Sequence, residues 1–107
     1  AKIDRSSQGY ILCWDPTELK LDKCLSSASP LVVAVADING RPIIMGAEPA
    51  NVLGPVEPGD LLVSSDVPGF AEAWRQENDP SAGTIIGKAL EGCNVQTCLI
   101  KVLIMLR

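Results

Sequence analysis

Histidine is absent from this chain. That removes Ser-His and Cys-His catalytic pairs, histidine-ligated metal centres and the imidazole switch near neutral pH. Aromatic residues are scarce, with one Phe, one Tyr and two Trp in 107 residues. The core must therefore be aliphatic, built from Val, Ile, Leu and Ala. Clusters of one positive sign are missing too. Nine basic residues are scattered among 13 acidic ones, for a net charge of −4. Phosphate backbones and anionic lipid surfaces both call for clustered Lys and Arg, so neither nucleic acid nor a membrane is expected as a partner. The longest apolar runs, residues 31–36 and 102–106, are far too short to span a bilayer. The opening AKIDRSSQ has no apolar stretch of the signal-peptide kind. The cytoplasm and a virion or surface assembly are the compartments left open.

What is present argues for one folded domain. Hydrophobic residues make up 47% of the chain and charged residues 21%, a balance that supports a core and opposes disorder. Residues 1–8 are polar and expected to form a flexible N-terminal segment, with residues 9–107 a single β domain. The stretch GPVEPGDLLVSSDVPG, residues 54–69, organises the rest. Pro58-Gly59 suits the centre of a type II turn, because proline presets φ and glycine accepts φ > 0. Asp60 follows, where its carboxylate can accept N–H groups of the turn.

Short apolar segments separated by Pro and Gly predict about eight strands and at most one short helix. Residues 9–14 and 19–25 read as a hairpin around Asp15-Pro16-Thr17-Glu18. Residues 31–37 (LVVAVAD) read as a buried strand, Asn39-Gly40 as a hairpin signal, and 41–45 as the return strand. Residues 46–53 read as irregular, with Pro49 as a breaker. Residues 61–64 form the next strand, 70–77 a strand or one or two helical turns, and 84–89 a strand whose Gly87 signals a bulge or a close backbone approach. Residues 99–106 (LIKVLIML) close the chain. Only Lys101 interrupts their second face, so this strand is central or lies at a subunit interface. The fold class is all-β, a small barrel or sandwich.

Several of these phrases together resemble the C-terminal β-rich module of phage tail-fibre-like and bacterial surface proteins. The shared pattern is met by Gly54, Pro55, Val56, Gly59, Asp60, Leu61, Leu62, Ser64, Ser65, Pro68 and Gly69. It resumes at Gly83, Ile85, Ile86, Gly87, Lys88, Ala89 and Leu90, and ends at Ile100, Val102 and Leu103. The chain departs from it at Ala34, where glycine is expected, and at 46–53, where a further strand is shortened. The resemblance implies a structural, trimerising or attachment part of a larger fibre. Some similar modules precede or include self-cleaving segments, but no catalytic residue is matched here.

Cys93 and Cys98 bracket a four-residue turn and are disulfide candidates. Cys13 and Cys24 do not oppose each other in the simplest hairpin register, which faces Cys13 with Lys20. A four-cysteine zinc site fits the spacing poorly, and no metal or cofactor is expected. Glu57, Asp60 and Asp66 read as turn caps and a solvated rim. Ser64-Ser65-Asp66 offers hydroxyls without a base, and Lys88 reads as an edge-strand lysine. Trp14, Asp60 and Trp74 are the candidate ligand-binding residues. The functional expectation is a non-enzymatic module that associates with itself, a trimer favoured over a dimer. The alternatives are a self-processing domain and a small-molecule or glycan-binding barrel.

Overall fold

The structure, a computed structural model, describes residues 8–107. The expected flexible segment, apart from Gln8, lies outside the described residues. The fold is all-β, with no helix among the described residues: β1 (Ile11–Asp15), β2 (Lys20–Lys23), β3 (Val32–Ala36), β4 (Pro42–Ile43), β5 (Met45–Leu53), β6 (Leu61–Ser64), β7 (Ala71–Ala73), β8 (Ile85–Ala89) and β9 (Thr97–Met105). Strands β2-β1-β3-β4 form an antiparallel sheet, and β5-β7-β6-β8-β9 close into a barrel. All barrel pairs are antiparallel except β5 with β7. Segment 70–77, left between strand and helix by the sequence, holds β7.

The first hairpin corrects the expected register. Asp15 opposes Lys20, and Cys13 opposes Asp22 rather than Lys20. The turn is wider than a two-residue one because the Asp15 carboxylate accepts the N–H groups of Thr17 and Glu18. Leu19 then closes the loop at φ +55°, donating its N–H to Asp15 O. At the second hairpin, the Asp37 carboxylate accepts from Asn39 and Arg41, and Gly40 takes φ +77°. The left-handed residue is thus Gly40 alone, as in a type I turn followed by a glycine bulge.

The largest correction concerns residues 46–53. They are not irregular but belong to β5, which pairs with β9 from Met45↔Met105 to Leu53↔Thr97. Pro49 does not break this strand. Asn51, two residues on, donates its N–H away from β9 to Gly9 O. Alternation places the Pro49 nitrogen on that same side, where no ladder donor is needed. Lys88 is also reassigned: β8 lies between β6 and β9, so it is not an edge strand. Gly87 shows both features that its position signalled. The β6–β8 register shifts beside it, and a Cβ there would lie 2.0 Å from Leu103 O.

One continuous core joins sheet and barrel. Ile11, Val32 and Val35 from the sheet cluster with Val52, Leu62, Ile86, Val102 and Ile104 from the barrel. Burying each such side chain contributes roughly 1.5–3 kcal/mol, enough to tie the two layers together. The stretch 54–69 makes the seam. Ser64 Oγ, fully buried, accepts the Ser29 N–H at 2.8 Å and donates to Ser26 O at 2.8 Å. Gly69 donates its N–H to Cys24 O, and its carbonyl accepts the N–H of Ile11.

Candidate functional site

The organising turn is a clasp. Gly59 takes φ +95° between Pro58 and Asp60, and Asp60 donates its N–H to Glu57 O at 3.1 Å. In return, Asp60 Oδ2 accepts the Glu57 N–H at 2.9 Å and lies 3.4 Å from Arg75 Nη1. Arg75 Nη2 donates to Pro55 O. The guanidinium therefore bridges the start of β6 to the loop before it. Arg75 has no sequence signal for this role; the fold alone brings it beside Asp60. Asp60 acts here through its turn and its ion pair.

Trp74 donates its indole N–H to Asn78 O and its backbone N–H to Leu61 O, so it anchors the exit from β7. Trp14 is 38% exposed on β1 and lines a groove of about 290 Å³ beside the hairpin. Asp60 and Trp74 do not line that groove. A second hollow, about 200 Å³, is lined by Leu53, Gly54, Pro55, Glu72, Ala73 and Arg75. The three candidate ligand residues are thus not gathered around one cavity.

The serines of the central stretch are spent on structure. Ser64 closes the seam described above. Ser65 is fully buried, donating to Phe70 O at 2.7 Å and accepting the Val67 N–H at 3.2 Å. Glu57 and Asp66 are exposed on the rim. Among the described residues, no three His, Cys, Asp or Glu side chains group closely enough to hold a metal ion. All four cysteines are paired, Cys93 with Cys98 and Cys13 with Cys24. The second bridge runs diagonally across the hairpin, since Cys24 pairs through its N–H with Ile11 O while Cys13 opposes Asp22. A register shift in β1 between Leu12 and Cys13 accompanies it.

The broadest unspent feature is the outer face of β5 and β9. Ile100, Val102 and Ile104 point into the barrel, so the alternate residues of β9 point out. Met45 is 74% exposed, Leu99 50% and Leu103 37%. The register sets Met45 beside Met105 and Ala47 beside Leu103. Lys101 lies between Leu99 and Leu103, and Lys88 sits beside Leu103 on β8. Neither lysine has an ion-pair partner among the described residues. Half of this face was hidden from the sequence, because β5 read as irregular.

Comparison of the chain with protein-family models, with curated proteins and with solved structures finds no match.

Proposed function

We propose that this chain is a non-catalytic assembly module that associates with copies of itself, of the type found in fibre-like and surface proteins. The observation that carries the reading is the exposed apolar face of β5 and β9, with Met45, Leu99 and Leu103 on adjoining strands. Met45 stands opposite Met105 and Ala47 opposite Leu103, an apolar group that Lys101 separates from Leu99, and exposed apolar groups on adjoining strands mark contact sites. Lys88 and Lys101 fit the same reading. The chain carries an excess of carboxylates, 13 against nine basic residues, so a second copy offers these lysines acidic partners. The two disulfides suit a role outside a reducing compartment. The buried, backbone-bonded hydroxyls of Ser64 and Ser65 count against self-processing through those residues.

Light scattering on the oxidised chain tests the proposal. The expected particle mass is a multiple of 11.3 kDa, with a trimer favoured. Leu103→Lys adds a third positive charge beside Lys88 and Lys101 and is expected to return the particle to 11.3 kDa with its fold intact. A parent chain that is monomeric at every working concentration overturns the reading.

A further inference from the structure

We infer that the groove beside the first hairpin is a binding site for a single neutral sugar ring, such as a hexose or N-acetylhexosamine unit of a glycan. The groove measures about 290 Å³. That lies at the low end of the roughly 300–1,000 Å³ typical of small-molecule sites, room for one ring rather than a chain of them. Its walls include Trp14, Leu25 and Leu31, all exposed to solvent in part. Its polar groups are Asp22, Ser26 and Ser29. A pyranose needs this mixture: an aromatic or aliphatic surface for its C–H face, and acceptors and hydroxyls for its O–H groups.

The hydrogen-bond inventory shows which groups are free to serve. Asp15 is occupied, since its carboxylate caps the hairpin turn. Asp22 Oδ1 accepts only the adjacent Lys23 N–H, and Oδ2 lies 4.0 Å from Lys20 Nζ, a loose surface contact. Ser29 Oγ accepts the Leu31 N–H at 3.2 Å, and among the described residues its own proton has no acceptor. The Ser26 hydroxyl has no partner among them either, its carbonyl alone being engaged by Ser64. One carboxylate and two hydroxyl donors thus stand beside an apolar wall.

Other ligand classes fit less well. A phosphate or other anion would meet Asp15 and Asp22, while the Lys23 ammonium is held 4.0 Å over the Tyr10 ring. A purely aliphatic ligand would strip water from Asp22, Ser26 and Ser29 without replacing its hydrogen bonds. The Cys13–Cys24 bridge adds preorganisation, because Trp14 and Leu25 each follow one of its half-cystines. This inference does not rest on self-association.

The test is a titration of the oxidised chain with the methyl glycosides of glucose, galactose and N-acetylglucosamine at millimolar concentrations, followed by amide and indole chemical shifts. The Trp14 indole and the amides of Ser26, Ser29 and Leu31 should move and saturate with at least one glycoside, while the Trp74 indole stays still. Asp22→Ala, on an exposed strand, should keep the folded spectrum and bind about tenfold more weakly, in line with removal of a central polar anchor. Replacing Cys13 and Cys24 by Ala should weaken binding while leaving the barrel signals in place. No saturating shift with all three glycosides overturns the proposal. So does saturation that moves Trp74 instead of Trp14, or unchanged affinity in Asp22→Ala.

Discussion

Ser64 and Ser65 look alike in sequence and do different work. Ser64 links sheet to barrel through Ser26 and Ser29, whereas Ser65 holds its own turn through Val67 and Phe70. Ser64→Ala leaves the Ser29 N–H without its acceptor in a buried site. It should cost about 1–3 kcal/mol, measured by chemical denaturation. Leu19 makes the opposite case. It is largely exposed and sits at φ +55°, a conformation that costs an L residue other than Gly or Asn roughly 1–2 kcal/mol. Leu19→Asn should raise stability by about 0.5–1 kcal/mol in the same assay. Gly87→Ala should be the most damaging of the three, because the added Cβ meets the backbone of Leu103 rather than a movable side chain.

Among the elements, those governed by local chemistry are legible in the sequence. Pro58-Gly59-Asp60 specifies its turn through proline, a left-handed glycine and a carboxylate cap, all within four residues. The apolar strands β3, β6 and β9 announce themselves by composition. β5 does not, because Gly46, Glu48 and Pro49 oppose strand propensity. It exists because β9 supplies a partner for every one of its residues, and because the missing Pro49 donor faces away from that partner. The first hairpin departs from the simplest register for a smaller reason. Asp15 caps a four-residue loop, so a two-residue turn put every later partner out of register. The candidate site suffered accordingly: Trp14, Asp60 and Trp74 were each visible as unusual residues, but nothing local says that Arg75 claims Asp60 or that Asn78 claims Trp74. The disulfides also differ by element. Cys13–Cys24 spans 11 residues and Cys93–Cys98 spans five. Loop-closure entropy assigns them about 3 and about 2 kcal/mol. Replacing each pair by Ala and comparing melting temperatures should show the greater loss at the first hairpin.

For the molecule as a whole, sheet and barrel share one apolar cluster and the Ser64 seam. They should therefore unfold together, with tryptophan fluorescence, which reports Trp14 on the sheet and Trp74 on the barrel, and far-ultraviolet circular dichroism giving one coincident transition. Two separated transitions would mean that the seam is weaker than its hydrogen bonds imply. The proposed self-association should survive mild reductant: Cys98 stands next to Leu99 on β9 but on the inward side with Ile100 and Val102, and the other bridge belongs to the first hairpin. The closing of the barrel has a further consequence, for the speed of folding. Ala50 must find Ile100 across nearly half the chain, and both covalent bridges are local to single hairpins. Neither bridge shortens that search. The rate-limiting step should then be the meeting of two distant strands, slow by topology and nearly indifferent to oxidation, while the bridges should act chiefly on how long the finished molecule persists.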